Sequence, residues 1–395
     1  MIKFLLYNAP MFKNILKKTL ILLSIVILFF NCCCAKNVWT ETPITTNTKI
    51  AIVGPLTGPY SAYGKQLLFA ANQAIMDLNL QTHHLEIVPF DDQCNPDLAK
   101  SVANKITKDS KFKAVIGHSC SAATIATNKI YAKHGILNVT PTSTNPNITE
   151  QNISTLFRMC GRDDIQAQYI SNFLSKKFNN KKIAILHSQD LYSKELAEYV
   201  QESLAMLKIS TTLYQSITAD HLNNHTKIKA ILKKTKKLNI DVIFFAGLYQ
   251  EAANIIKTMH HNQIKILMIA SDSIATPGFI EKLGSSKLAA GTMMSFQKID
   301  LKDNKIDSKI EDSKIQGQGL FGYAAIQIIN TAIQNYYDTN NNVNNLNGRI
   351  LAHWLHQNKI NTILGEKSWD TNGDVIDAEF TMYMWDENGK YWPML

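Results

Sequence analysis

The sequence is poor in cysteine. Only six of its 395 residues are cysteines, and three of these form one cluster, Cys32 to Cys34, near the N-terminus. No two cysteines have the Cys-x-x-Cys spacing of a redox motif, and none belongs to a Cys/His array of the kind that binds zinc. This scarcity disfavours a thiol redox enzyme and a structural zinc protein, and we expect no metal site.

Long apolar runs are absent after the first 30 residues, so no later segment is predicted to cross a bilayer. The run Leu20 to Phe30 follows two lysines and has the length of a signal-peptide core. Cleavage after Ala35 would place the small residue Cys33 three positions before the cut. We therefore predict a signal peptide over residues 1–35 and a periplasmic protein. A lipidated cysteine within Cys32 to Cys34 is the alternative, disfavoured because the preceding residues make a poor lipobox; a retained anchor is a third option.

A strong charge of either sign is also missing. The net charge is +9, but four lysines and no acids lie in the first 35 residues, which leaves +5 for the rest. No basic stripe interleaved with aromatic residues occurs, so we expect no nucleic-acid partner.

Sequence motifs of common enzymes are not found either. No phosphate loop of the Walker type occurs. Gly117-His-Ser-Cys-Ser121 resembles a nucleophile elbow but lacks its second glycine, which makes room for the sharp turn. We therefore predict that the protein is not an enzyme and needs no cofactor.

The most informative stretch of the sequence is Lys113 to Ala122. Lys113 to Gly117 reads as a buried strand, and Ala122 to His134 as a helix with Ser121 at its N-cap. A helix N-terminus offers unpaired N–H groups and a partial positive charge, which suit a carboxylate or phosphate. A second strand follows at once and ends in Thr140-Pro-Thr-Ser-Thr144. Two hydroxyl-rich strand ends side by side would seat a small polar ligand.

The rest of the chain alternates short apolar strands with helices of ten to fifteen residues, and this pattern restarts after Arg158. Such alternation predicts two α/β lobes with parallel sheets. Phe380 to Trp385 and Lys390 to Trp392 flank Asn388-Gly389, which indicates a C-terminal hairpin. In open α/β sheets ligands bind beyond the carboxyl ends of the strands, so the site is expected there.

These stretches resemble the periplasmic branched-chain amino-acid (leucine/isoleucine/valine) binding proteins, the type I solute-binding proteins of ABC transporters. Matching segments lie in order along the chain: Ile50 to Pro59, Tyr63-Gly64, Asp91 to Pro96, Val115 to Ser121, Thr140 to Thr144, Asn239 to Val242, Gly322 to Ile326 and Trp369 to Asp374. The resemblance implies two Rossmann-like lobes joined by a three-strand hinge. It also implies capture of an amino acid by hinge closure and delivery to the permease of an ABC transporter in the inner membrane. We expect a monomer.

The resemblance also implies the roles of individual residues. Ser121 and Thr144 fall where the family holds the α-carboxylate and α-ammonium groups, and Thr142 where a backbone carbonyl binds the ammonium. Tyr63 matches a tyrosine near the family's side-chain pocket, and Tyr192 matches one that reaches over from the second lobe. The remaining matches are Asp272 at the acid that pairs the ammonium, and Cys94 and Cys120 at the family's disulfide. By the residues alone, a Cys94–Cys120 bridge is plausible if their strands are neighbours, and Cys160 is left as a free buried thiol.

Two positions and one segment depart from the family pattern. The segment between Phe296 and Tyr323 is shorter and more polar than the family's usual helix there. Asp272 is one methylene shorter than the usual glutamate, and Leu248 stands where an aromatic residue is expected, with Tyr249 beside it as a substitute. Purely structural roles also stay open for two of these residues. Ser121 can be a helix cap that binds no ligand, and Asp272 can be an ordinary turn residue. A sensory protein of the same fold, binding an amide, a short peptide or an aromatic amino acid, is the alternative function.

The predicted domain division follows from the hinge. Residues 36–162 and 298–362 are assigned to the first lobe, and residues 163–297 and 363–395 to the second.

Overall fold

The computed structural model describes residues 48–78, 85–217, 225–299, 315–340 and 345–394. The predicted signal peptide, the cysteine cluster at Cys32 to Cys34 and residues 300–314 lie outside the described residues.

Five parallel strands form the sheet of the first lobe, in the order β2-β1-β3-β4-β5. The strands are Thr48–Gly54 (β1), Leu85–Asp91 (β2), Phe112–Ile116 (β3), Leu137–Thr140 (β4) and Leu156–Arg158 (β5). The central strands β1, β3 and β4 are almost wholly buried, as continuous apolar runs predict for a sheet covered on both faces. Their order brings the carboxyl ends of β1, β3 and β4 side by side.

Seven strands form the sheet of the second lobe, in the order β14-β13-β10-β9-β8-β6-β7. β6 to β10 are parallel, whereas β13 and β14 add an antiparallel edge, which confirms the predicted C-terminal hairpin. The strands are Ile183–His187 (β6), Thr211–Ser216 (β7), Val242–Ala246 (β8), Leu267–Ala270 (β9), Met293–Gln297 (β10), Phe380–Trp385 (β13) and Tyr391–Pro393 (β14). A separate hairpin pairs Ile360–Thr362 (β11) with Gly365–Lys367 (β12).

Helices alternate with these strands, as the sequence pattern predicted. They are Ser61–Asp77 (α1), Pro96–Ile106 (α2), Ser121–Lys133 (α3), Asp163–Lys177 (α4), Leu191–Met206 (α5), His225–Lys237 (α6), Tyr249–His261 (α7), Pro277–Leu283 (α8), Gly319–Thr339 (α9) and Gly348–Leu355 (α10). Local sequence sets several of their starts. Asn95 accepts hydrogen bonds from the N–H groups of Asp97 and Leu98, with Pro96 as the first residue of α2. No helix of the described residues has both the length and the apolar character needed to cross a membrane.

The chain passes between the two lobes three times: between β5 and α4, between β10 and α9, and between β12 and β13. α9 packs on α1 and α10, so it returns the chain to the first lobe. Together with the two parallel sheets, this connectivity gives the predicted two-lobed α/β fold.

A fully buried arginine ties the first and third crossings together. Arg158, at the end of β5, donates from Nε to Asp374 Oδ1 at 2.8 Å and from Nη1 to the carbonyls of Ser143 and Asn145. Its Nη2 donates to the Thr149 hydroxyl. A buried guanidinium needs such partners because an isolated buried charge is costly. The loop after β4 is therefore fixed to both crossings.

Candidate functional site

A cleft lies between the two lobes at the carboxyl ends of their strands. It encloses about 620 Å3 of space not filled by atoms, part of it open to solvent. Five of the residues predicted for the site line it: Tyr63, Ser121, Thr142, Tyr192 and Asp272. The other lining residues are Tyr60, Cys94, Ser119, Cys120, Ala122, Asp190, Leu191, Leu248, Ser273 and Gln318.

The first lobe presents the N-terminus of α3 to this cleft. α3 begins at Ser121, with Cys120 at the N-cap, so the prediction of Ser121 as the N-cap residue was one position off. The side chain of Cys120 makes no capping hydrogen bond. The first N–H groups of α3 therefore remain available beside the buried Ser121 hydroxyl, an arrangement suited to a carboxylate.

The predicted disulfide is present and anchors this turn. Cys94 and Cys120 are bonded, with their Cα atoms 5.4 Å apart. Their strands, β2 and β3, are not neighbours, because β1 lies between them. The bridge instead joins the loops beyond the strand ends, so the condition that the strands be neighbours was wrong although the pairing is right. The other described cysteine, Cys160, is free and buried, as predicted.

Several hydroxyls of the cluster after β4 hold the loops in place. The hydroxyls of Thr140 and Ser143 both donate to the carbonyl of His118, at 2.9 Å. His118 is itself buried between Asp92, 2.7 Å away, and the Tyr131 hydroxyl, 3.1 Å away. Because these hydroxyls are already used within the protein, fewer of them can bind a ligand than the sequence suggested.

The two threonines of the predicted site lie differently. The Thr142 hydroxyl donates to the Ser119 carbonyl at 3.0 Å, which fixes Thr142 at the cleft wall. Thr144 does not line the cleft; it lines a small adjoining pocket that shares Thr142, Asp272 and Gln318 with it. The Thr144 hydroxyl is buried and has no hydrogen-bond partner among the described residues. It therefore has both a donor and an acceptor available.

The acid of the second lobe, Asp272, follows β9 and is 8% exposed. The Tyr192 hydroxyl donates to its Oδ1 at 2.7 Å, and Gln166 Nε2 donates to the same oxygen at 3.3 Å. Burial raises the pKa of Asp272, while these two hydrogen bonds lower it. A buried carboxylate with one oxygen so occupied keeps its second oxygen for a cationic group.

A second buried acid, Asp163, was not anticipated from the sequence. Asp163 is the first residue of α4, its N–H donates to the Thr144 carbonyl at 2.9 Å, and it is 0% exposed. Among the residues that the structure describes, neither of its carboxylate oxygens has a partner within hydrogen-bond distance. Burial and the nearby Asp272 raise its pKa well above the usual range, and the Thr144 side chain lowers it in part. A cation placed beside Asp163 and Asp272 would be strongly favoured.

Aromatic and aliphatic side chains make up the remaining wall. The Tyr63 hydroxyl donates to the Ser273 carbonyl of the other lobe at 2.8 Å, and the Tyr63 ring meets that of Tyr249 edge to face, with centroids 5.0 Å apart. Leu248 lines the cleft, but Tyr249 does not. Tyr249 therefore supports Tyr63 from behind and does not take the place of the aromatic residue expected at Leu248.

One glycine pattern at the start of α9 has the spacing of a nucleotide-binding loop. Gly317-Gln-Gly-Leu-Phe-Gly322 matches the Gly-x-Gly-x-x-Gly of dinucleotide-binding loops. A Cβ on Gly317 would lie 1.9 Å from the Ala275 carbonyl oxygen, and one on Gly322 would lie 2.4 Å from Leu67 Cδ1. These glycines serve close packing at the start of α9.

Metal ligands are not grouped in the part of the chain that the structure describes. There, no three His, Cys, Asp or Glu side chains are placed to hold an ion.

The fold and this dipolar cleft define a class of protein. The family model for periplasmic binding proteins matches residues 47–390, and the chain belongs to that family. The family consists of solute-binding proteins and is not an enzyme family.

Individual members of the family resemble this chain over most of its length. An amino acid binding protein of Pseudomonas aeruginosa is 30% identical over 87% of this chain and 91% of its own length. The Leu/Ile/Val-binding protein of Escherichia coli K12 is 28% identical over 90% of this chain and 95% of its own. Among solved structures, the branched-chain amino acid transporter substrate binding protein of Streptococcus pneumoniae, in complex with isoleucine, superposes with a TM-score of 0.74. That likeness has 20% identity, covers 88% of this chain and 99% of the other, and supports the type I fold.

Proposed function

We propose that this protein is the extracytoplasmic solute-binding protein of an ABC transporter and captures a branched-chain or related amino acid by closing its lobes. The observation that carries the proposal is the polarity of the cleft. An uncapped helix N-terminus lies on one side, and the buried acid Asp272 lies on the other, with a second buried acid, Asp163, near it. This polarity fits a zwitterion.

In this proposal the ligand's α-carboxylate binds the first N–H groups of α3 and the Ser121 hydroxyl. The partial positive charge of the helix N-terminus favours that group. Hydrogen bonds to charged groups typically contribute about 1.5–3 kcal/mol each. The disulfide next to Ser121 helps because it restricts the position of the turn.

The ligand's ammonium group binds on the opposite side. We assign the Thr142 carbonyl, the Thr144 hydroxyl and Asp272 as its acceptors. An ammonium group only donates, so the Thr144 hydroxyl must accept from it and direct its own hydrogen elsewhere. Asp163 is the nearby acceptor for that hydrogen, since its oxygens have no other partner.

The ligand's side chain is assigned to the wall made by Tyr63, Tyr192, Leu191 and Leu248. Aromatic and aliphatic surfaces of this kind favour an apolar side chain, because its burial removes it from water. Leu248 in place of an aromatic residue leaves more room there than the family pattern provides.

The cellular arrangement is part of the same proposal. Residues 1–35 act as a cleaved signal peptide, the mature protein works as a monomer outside the cytoplasm, and the loaded form docks on a permease. The lobes comprise residues 36–162 with 298–362 and residues 163–297 with 363–395. The two sheets and the packing of α9 on α1 support this division, although the β11–β12 hairpin continues past residue 362 to Lys367.

Isothermal titration calorimetry tests the ligand directly. The exported protein is unfolded and refolded to remove any bound amino acid and is then titrated with leucine, isoleucine and valine. We expect dissociation constants in the micromolar range or tighter. A folded protein that gives no binding heat with any of the three would refute the assignment of the ligand.

Two analogues of leucine test the polarity of the cleft. 4-Methyl-2-oxopentanoate lacks the ammonium group, and 3-methylbutylamine lacks the carboxylate. Each is expected to bind at least tenfold more weakly than leucine, because it leaves one end of the seat unpaired. Equal binding of either analogue would contradict the assigned orientation.

A further inference from the structure

A hydrogen bond between the lobes closes one side of the cleft. The Tyr60 hydroxyl, in the loop before α1, donates to Oε1 of Glu251, in the first turn of α7, at 2.7 Å. Tyr60 also lines the cleft. Glu251 does not line it, and none of the roles assigned above uses this acid.

Glu251 is buried at a contact between the two lobes. It is 1% exposed, and its second oxygen, Oε2, has no partner among the described residues. Close packing surrounds the contact, since a Cβ on Gly278 of the second lobe would lie 2.4 Å from Ala62 Cβ of the first. When the lobes separate, Glu251 loses the Tyr60 hydroxyl and regains water.

The charges around Glu251 do not neutralise it. Asp190, in the loop after β6, repels a negative charge at this position, whereas Lys282, on α8, attracts it and contributes less. Burial has the largest effect, and together these influences raise the pKa of Glu251 from 4.5 to about 7. A carboxylate exposed in the open form has its ordinary pKa.

We propose that Glu251 is a positioning residue that holds Tyr60 at the cleft wall and couples closure of the lobes to the uptake of one proton. The proposal rests on the function proposed above, because ligand binding is taken to require closure. Closure at neutral or higher pH buries a charged carboxylate with one hydrogen bond. Closure at lower pH buries the neutral acid, which is less costly.

The sign and size of the effect follow from linkage. A group that binds its proton more tightly in the closed form favours closure as the pH falls. With values near 4.5 in the open form and 7 in the closed form, leucine should bind about tenfold more tightly at pH 6 than at pH 8. Asp272, which faces the ligand, and the nearby Asp163 act in the opposite direction, because an ammonium group prefers them ionised. Only a difference between variants isolates the part due to Glu251.

The test compares the wild type with Glu251→Gln at pH 6 and pH 8, by calorimetric titration of leucine in two buffers of different ionisation enthalpy. Glutamine keeps the shape and the acceptor for Tyr60 but carries no charge. We expect the variant to bind leucine at least about tenfold more tightly than the wild type at pH 8. It should also lose the uptake of roughly one proton that accompanies binding at pH 6 in the wild type.

Two further variants serve as controls. Glu195→Gln changes another glutamate that joins the lobes. Glu195 accepts a hydrogen bond from Asn145 of the first lobe but is only half-buried. We expect this variant to leave the proton uptake unchanged. Tyr60→Phe removes the donor and should weaken leucine binding more at pH 8 than at pH 6, since the charged carboxylate then loses the one side-chain hydrogen bond it has among the described residues.

A second measurement needs no ligand. Small-angle X-ray scattering of the stripped protein should give a smaller radius of gyration at pH 6 than at pH 8 in the wild type and no change in Glu251→Gln. Equal proton uptake and equal pH dependence in wild type and variant would overturn the role of Glu251. Absence of leucine binding at both pH values, with the scattering difference intact, would instead refute the ligand and leave the proton-linked closure standing.

Discussion

Replacing Asp163 by asparagine should separate ligand binding from stability. The side chain is fully buried, has no hydrogen-bond partner among the described residues and lies near Asp272 and Thr144. Asparagine keeps a neutral oxygen that can accept from the Thr144 hydroxyl, but it removes one of two negative charges near the ligand's ammonium group. A hydrogen bond to a charged group contributes about 1.5–3 kcal/mol and a neutral one about 0.5–1.5 kcal/mol, so leucine affinity should fall about tenfold.

The stability of the ligand-free protein should change in the other direction. The pKa of Asp163 is raised in the folded protein, so the folded state binds its proton more tightly than the unfolded state does. Its contribution to the free energy of unfolding therefore decreases as pH rises from the ordinary aspartate value toward the raised one. Asp163→Asn should melt at the same temperature as the wild type or higher at pH 8, and its melting temperature should depend less on pH.

The assay pairs calorimetry with thermal melts followed by circular dichroism, both without and with leucine. Asp164→Asn is the matched control, because Asp164 is the next residue but pairs with Arg162 at the surface side of the hinge. A variant that binds leucine as well as the wild type would remove Asp163 from the site. Loss of both affinity and melting temperature would indicate a purely structural role.

Three other changes test separate parts of the site. Ser121→Ala should weaken leucine binding tenfold or more without unfolding the protein, and an unchanged dissociation constant would remove Ser121 from the site. Gly278→Ala inserts a methyl group against Ala62, and the overpacking should cost the closed form about 1–3 kcal/mol. Leucine binding should therefore weaken while the melting temperature of the ligand-free protein changes little. Full affinity would show that the lobes close without this contact. Joint replacement of Cys94 and Cys120 by alanine should lower the free energy of unfolding in denaturant titrations by about 3–4 kcal/mol, as expected for a bridge with a sequence separation of 26, and an unchanged free energy would contradict that reasoning.

The location of the cleft could be predicted because it follows from chain-wide regularities. Apolar runs such as Val242 to Ala246 alternate with helices, which requires parallel sheets, and ligands bind at the carboxyl ends of such strands. Ser121, Thr142 and Asp272 are each close in sequence to a strand end, so their meeting in space needed only the strand order.

Other features depended on contacts that no local pattern reveals. Asp163 and Glu251 both look like ordinary acids in the first turn of a helix, where a negative charge is favourable. Only the packing of the lobes shows that both are buried. The Thr140 and Ser143 hydroxyls could not be assigned either, because their partner, the His118 carbonyl, belongs to a different strand end.

The clamp around Arg158 has a consequence for the rates of binding. Because this side chain fixes the loop after β4 to the hinge, the α3 terminus and Thr142 to Thr144 form one preassembled half of the site. In the proposed mechanism, a ligand binds the first lobe on diffusional encounter, before closure brings Asp272 and Tyr192 of the second lobe to it. The bound molecule then leaves only after the lobes open. The residence time of the ligand is therefore set by the rate at which the hinge opens. A transporter that forces the lobes open would control the release of the ligand.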